Sequence, residues 1–314
     1  MQSEEISRLT EAASVYSSEQ YQDSTKKQQL RSFQRWSEWC RSLSFDPVAP
    51  PQAALRLFAT HLCVDLEYRA DTVSSMISHI NAVLRSGIRP IEDPSIRGLL
   101  LGKKRLDEVP SKQATPIFPS DVSRIASLLE LSTSGKRDLA LMTVGIAGFL
   151  RPSEIINLTA EDFDFASDYS GMRILLRNSK TDRRRTGQWI SIDAVPGSSV
   201  CPVSALLRWL DLANISEGPV FPKVLLDGSI CLGEAMTYEN LVSMAKARAI
   251  LMRIDPSGVS GHSFRRGGLT SAAVSGVPLS QCKRHGRWSG RAIDRYFDDI
   301  GYFQANICSR FMDQ

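Results

Sequence analysis

Between Asp107 and Pro119 the chain carries three prolines, Pro110, Pro116 and Pro119, and no helical apolar period. Proline fixes φ and removes a backbone donor, so neither a helix nor a central strand runs through such a stretch. The break divides a chain of 314 residues, a length that suits two domains better than one core. Residues 107–119 are therefore read as a linker with a domain on each side.

Before the linker the pattern is helical throughout. Leu30, Phe33, Trp36, Cys40 and Leu43 recur every three to four residues behind a cap at Ser24 or Thr25. A second helix follows Pro50-Pro51 from about Ala53 to Leu66. A third starts at Asp71 and presents Val73, Met76, Ile77, Ile80, Val83 and Leu84. A fourth, Ser95 to Lys104, ends in Lys103-Lys104-Arg105, which suits either phosphate contact or a solvated helix end. Residues 24–106 thus form a small all-helical domain. Residues 1–23 hold five acidic groups and one basic one and are read as an acidic tail. Residues 24–105 hold thirteen basic groups and seven acidic ones, a mildly basic balance compatible with nucleic acid or with ordinary surface charge.

After the linker the texture is mixed. Helices are expected at Ser120–Leu131, Lys136–Leu150 and Pro152–Leu158. Met172 to Leu176 and Gln188 to Ile192 read as two strands around the polar, basic stretch Arg177 to Gly187, a β-hairpin with a long basic tip. Further helices are expected at about Pro202–Ala213, Tyr238–Met252, Ser263–Val274, Leu279–His285, Arg291–Asp298 and Phe303–Met312. The fold class is mainly α with a small antiparallel β-sheet.

Composition excludes more than it selects. The net charge of +4 barely argues for a polyanionic partner. The six cysteines, Cys40, Cys63, Cys201, Cys231, Cys282 and Cys308, are scattered without a C-x-x-C pair or nearby histidines. A structural zinc site is not expected, and the thiols read as reduced. The longest apolar run, Leu141 to Leu150, is too short to span a bilayer. No signal-peptide pattern opens the chain. The expectation is a soluble intracellular protein without metal or cofactor.

Four short motifs carry chemistry. In Phe149-Leu150-Arg151-Pro152-Ser153-Glu154 an apolar helix ends at an arginine, with a carboxylate one turn later that can orient it. Lys180 closes the first hairpin strand ahead of Arg183-Arg184-Arg185. In Gly261-His262-Ser263-Phe264-Arg265-Arg266, His262 and Arg265 share one side of a helix start. Last comes Gly286-Arg287-Trp288-Ser289-Gly290 and a short helix bearing Tyr296. Each alone has a plain structural reading: a surface ion pair, a solubilising tip, a helix start, a core tryptophan and a surface tyrosine.

Order and spacing together say more. Lys180 follows Arg151 by 29 residues, Trp288 follows His262 by 26, and Tyr296 follows Trp288 by 8. This series resembles the catalytic signature of the tyrosine recombinase (phage integrase-like) family over residues 116–300, and the helical region before the linker resembles that family's core-binding domain. Trp288 stands where many members carry a second histidine, as in Cre-like enzymes. The short step to Tyr296 is similar to crypton-type recombinases and leaves Tyr302 as the reserve nucleophile.

The resemblance implies an N-terminal core-binding domain and a mixed α/β catalytic domain at 120–314. It implies site-specific cleavage and rejoining of double-stranded DNA through a 3′-phosphotyrosine, by a homo-tetramer on two sites. The C-terminal helix 303–312 then docks on a neighbouring protomer, its apolar stripe otherwise packing in cis. The cell compartment is wherever the DNA is, bacterial cytoplasm and nucleoid or eukaryotic nucleus. Residue chemistry fits. Arg151 and Arg265 offer permanently charged forks for a phosphodiester, with Arg266 a weaker candidate. Tyr296 is the nucleophile, His262 takes a proton or holds phosphate, Lys180 serves the leaving oxygen and Trp288 donates one indole N–H. Two rivals share these residues: a type IB topoisomerase-like nicking and religating enzyme, and a non-catalytic DNA-binding protein on an integrase scaffold.

Overall fold

In the computed structural model the chain forms two compact units, Met1–Ser111 and Lys112–Gln314. The structure describes residues 23–85, 90–91, 93–107, 113–177, 187–290 and 293–294. Among them, no helix is long and apolar enough to cross a membrane.

Among the described residues the first unit contains four helices, α1 (Asp23–Ser42), α2 (Ala54–Val64), α3 (Ala70–Arg85) and α4 (Ser95–Leu106). Their apolar faces meet around Trp36, Phe58, Leu62, Ile80 and Leu84, all fully buried. Trp36 stacks on Trp39 with ring centroids 5.6 Å apart and takes the edge of Phe58 at 5.2 Å. Its indole N–H donates to the Pro47 carbonyl at 2.9 Å, which satisfies the one polar atom that burial strands. Leu30 and Leu43, expected on this face, are 62% and 47% exposed. The covered face of α1 runs instead through Gln29, Ser32, Trp36 and Cys40, and Leu43 falls just past the helix end. In the basic end of α4, Lys103 pairs with Asp107 at 2.7 Å and Lys104 with Asp71 at 2.9 Å.

The second unit is built on α6 (Thr133–Ala147), buried along nearly its whole length. Around it lie α5 (Pro119–Leu129), α7 (Pro152–Ile156), α8 (Pro202–Ala213), α9 (Tyr238–Leu251), α10 (Ser263–Val274) and α11 (Leu279–His285). The first sheet runs β1 (Phe163–Phe165), β2 (Gly171–Leu176), β3 (Gln188–Asp193), all antiparallel. Leu176 pairs with Gln188 at the hairpin mouth, and Met172, Ile174, Ile190 and Ile192 turn one face inward. A second ribbon, β4 (Pro222–Val224) with β5 (Ile230–Ala235), was not expected from the sequence.

Two features fix where the chemistry-bearing segments lie. The chain just before α5 is already docked: Thr115 N–H donates to the Gly258 carbonyl at 2.8 Å and Ile117 N–H to the Ser263 carbonyl at 3.1 Å. Glycines let α10 come close. A Cβ on Gly267 would stand 1.7 Å from the Ile117 carbonyl oxygen, and one on Gly268 2.1 Å from that of Ile146. The start of α10 is therefore pressed against the end of α6.

Candidate active site

The end of α6 sets the first motif. Gly148 caps it, and Phe149 adopts a left-handed φ of 46°. Pro152 cannot extend α6 but suits the first turn of a new helix. Arg151 therefore becomes the N-cap of α7 with extended backbone. Glu154, one turn on, accepts the Arg151 N–H at 2.8 Å and Arg151 Nη1 at 2.6 Å. The Glu154 side chain is 3% exposed and that of Arg151 18%, so the carboxylate holds the guanidinium from behind.

The second motif arrives beside the first because a Cβ on Gly261 would meet Pro152 Cγ at 2.7 Å. Glycine alone permits that approach, and it brings His262, the residue before α10, next to Arg151. His262 is solvent-exposed at its edge. Surrounding protein, then the charges of Arg265 and Arg151, still hold its imidazole below its ordinary 6.5, in the neutral form. Arg265 is buried. It donates to the Phe149 carbonyl and, at 2.6 Å, to that of Gly286. Arg266, the weaker phosphate candidate, turns away and donates to the Ala114 carbonyl at 3.0 Å.

The third motif closes over these. A Cβ on Gly286 would lie 1.7 Å from the Trp288 ring, so the indole folds back across the turn. Half-buried Trp288 lies under the Arg265 guanidinium, 3.8 Å from ring centroid to Cζ, a cation–π contact. Residues far apart in sequence, Arg151, Glu154, His262, Arg265 and Trp288, thus share one cluster. Lys180, Tyr296, Tyr302 and the segment 303–312 lie outside the described residues. The described hairpin runs to Arg177, whose side chain pairs with Asp162.

Two members escaped sequence reasoning. Arg287, almost fully buried, donates to Glu154 Oε2 at 2.8 Å. It was visible in the Gly286–Trp288 turn, but nothing local marks a partner 133 residues away. His285 lies with Nε2 2.7 Å from the Ala147 carbonyl oxygen, which assigns the proton to Nε2, and its ring meets Phe149 edge-on at 4.7 Å. Burial dominates its titration and keeps it neutral.

No family model matches the chain. In sequence it is 27% identical over 299 residues to an integrase/recombinase XerD homologue of Selenomonas ruminantium, covering 93% of this chain and 86% of that protein. In fold it is similar to the Tn1549 transposon integrase, solved with transposon right-end DNA, at a TM-score of 0.61 and 14% identity over 96% of both chains. It is also similar to the XerH site-specific recombinase, solved bound to its difH substrate before cleavage. There the TM-score is 0.57 and the identity 14%, over 88% of this chain and 76% of that one.

Proposed function

We infer that this chain, a relative of the tyrosine recombinases in sequence and fold, is a DNA strand-transferase that cleaves and rejoins duplex DNA at specific sites through a 3′-phosphotyrosine. The observation that carries this reading is the convergence of Arg151, His262, Arg265 and Trp288 in one cluster of the second unit, with Glu154 behind Arg151.

In this reading Arg151 and Arg265 hold the non-bridging oxygens of one phosphodiester and stabilise the extra charge of the pentacoordinate transition state. The Tyr296 oxygen bonds to phosphorus as the bond to the 5′-oxygen breaks. The phenol proton goes to neutral His262, and Lys180 protonates the departing 5′-oxygen. The phosphodiester energy stays in the covalent link, so religation reverses the same steps without ATP. The first unit, with its basic surplus over residues 24–105, supplies further backbone contacts.

A neutral His262 has a kinetic signature. Cleavage by the wild type should be level above neutral pH and fall as pH drops through a midpoint below 6.5, because protonation removes the acceptor. His262→Ala should slow single-turnover cleavage about 10²–10⁴-fold and abolish that acid limb. An acid limb that survives the substitution belongs to another group and removes His262 from the proton path.

Assembly is the finer part. Phe303, Ile307 and Phe311 recur at helical spacing, and a helix so short needs a docking surface. Passed to a neighbouring protomer, the three side chains contribute on the order of several kcal/mol per contact. Four protomers then hold two sites together. On a plasmid with two target sites the full chain should recombine. A chain lacking residues 302–314 should bind single sites nearly normally yet form neither synapse nor recombinant. Synapsis by the truncated chain defeats docking in trans. Relaxation of a plasmid with no target site by the full chain favours a nicking and religating enzyme instead.

A further inference from the structure

The Glu154 carboxylate does not serve Arg151 alone. Its Oε1 accepts from Arg151 Nη1, while its Oε2 accepts the Arg151 N–H and, at 2.8 Å, Arg287 Nη2. Glu154 and Arg287 side chains are 3% and 1% exposed, against 18% for Arg151. Arg287 therefore stands behind the carboxylate, on the side away from any phosphate. Its Nη1 donates to the carbonyls of His285 at 2.9 Å and Gly148 at 3.3 Å, and Nη2 also donates to that of Phe149 at 3.2 Å.

Holding Arg287 there is costly. A guanidinium is buried, its Nε has no hydrogen-bond partner, and the backbone sits at a φ of 60°. Left-handed backbone is a strained conformation for a residue with a side chain. Buried ion triads do not generally repay such costs in stability, since packed apolar side chains often serve as well. What the triad supplies is charge and orientation. Arg151 and Glu154 alone form a pair with no net charge, which would blunt the attraction of Arg151 for phosphate. With Arg287 the three groups carry one net positive charge, and the only partly exposed member is Arg151.

Building on the strand-transferase reading, we propose that Arg287 is a positioning residue that balances Glu154, so that Arg151 meets the phosphate at full charge, and fastens the turn leading to Tyr296 onto the start of α7. Burial alone would raise the Glu154 carboxyl. Arg287 first, then the backbone and side chain of Arg151, outweigh it and keep the carboxyl below its ordinary range. Without Arg287 the largest of the opposing influences is gone. Glu154 then keeps Arg151 as its one charged partner, and its carboxyl shifts upward from where Arg287 held it.

The test compares Arg287→Met, Arg287→Lys, Glu154→Gln and the double variant Arg287→Met/Glu154→Gln, in the full chain, by melting temperature at pH 5 and pH 8 and by single-turnover cleavage across that range. Asp138 offers an internal control. It is bridged between Arg137 and Arg248 at 2.7 and 2.6 Å, with no member in the cluster. Arg248→Met should lower the melting temperature yet leave cleavage near the wild-type rate at a temperature where it is folded.

Arg287→Met should melt lower at pH 8 than at pH 5 relative to wild type, because the buried carboxylate, left with Arg151 alone, carries more of its charge at the higher pH. At pH 8 it should cleave about 100-fold slower, comparable with losing one transition-state donor, and the deficit should shrink towards pH 5. Adding Glu154→Gln should restore about 10-fold in rate and flatten the pH dependence, since it removes the charge that Arg287 balanced. Arg287→Lys, which keeps a charge but not the fork, should fall between the two and serves if Arg287→Met does not fold. A deficit in cleavage that is equal at every pH and indifferent to Glu154→Gln, or wild-type cleavage by Arg287→Met, overturns the proposal. A wild-type protein that forms no adduct at all would overturn the strand-transferase reading and the positioning role with it. The pH-dependent melting difference would then report only the ion pair.

Discussion

Tyr296→Phe should form no covalent adduct with DNA while binding the same duplex as tightly as the wild type. The substitution removes one oxygen from a residue 8 positions after Trp288, and Trp288 is stacked beneath Arg265. The residue tethered to that turn by the shortest span of chain is thus the natural attacker. A phenol is a weak nucleophile at its free pKa near ~10. The arginine pair and a neutral His262 supply what it lacks, a field favouring phenolate and a proton acceptor. Of the other groups in the cluster, arginine and indole are not nucleophiles, Glu154 is spent on Arg151 and Arg287, and His262 is assigned the phenol proton. Loss should therefore be complete, with DNA binding carried by the arginines and the first unit. If Tyr296→Phe still forms adducts and Tyr302→Phe does not, the nucleophile lies six residues further on.

Lys180→Ala should slow strand cleavage about 10²–10⁴-fold, the usual effect of removing a general acid. The 5′-oxygen is a poor leaving group unless protonated as it departs, and the cluster around Arg151 holds permanently charged guanidiniums, which do not give up protons near neutral pH. The β2–β3 hairpin, described as far as Arg177, leads directly into the segment carrying Lys180. A DNA substrate with sulfur in place of the bridging 5′-oxygen needs no proton, because a thiolate leaves unaided. That substrate should recover most of the lost rate in Lys180→Ala. A variant equally slow on both substrates would show that Lys180 only positions the DNA.

Where side-chain periodicity is local, the sequence was readable. Arg151 and Glu154 share a helix start because Pro152 opens the new helix, and His262 and Arg265 flank the first turn of α10. Burial at helix ends was harder. Leu43 falls just past the end of α1, and the polar Gln29 and Ser32 take the covered face that an apolar count assigns to Leu30. The β4–β5 ribbon was missed because β5 is mostly exposed and lacks the alternation of a half-buried strand. The turn between its strands did carry a signal, Asp227-Gly228, with Gly228 at a φ of 88°. Arg287 was unreadable for a different reason: its role depends on Glu154, Gly148 and Phe149, which only the packing of the turn after α11 against the end of α6 brings near.

The most direct measurement is to incubate the wild-type protein with duplex DNA spanning the flanks of its own gene, nicked so that the cleaved strand diffuses away. The covalent complex is then digested and mapped by mass spectrometry. The expected product is a nucleotide 3′-phosphate esterified to the Tyr296 oxygen, with a free 5′-hydroxyl on the released strand. A 5′-phosphate linkage, an adduct on any residue other than a tyrosine of the 296–302 segment, or tight DNA binding with no adduct would contradict it.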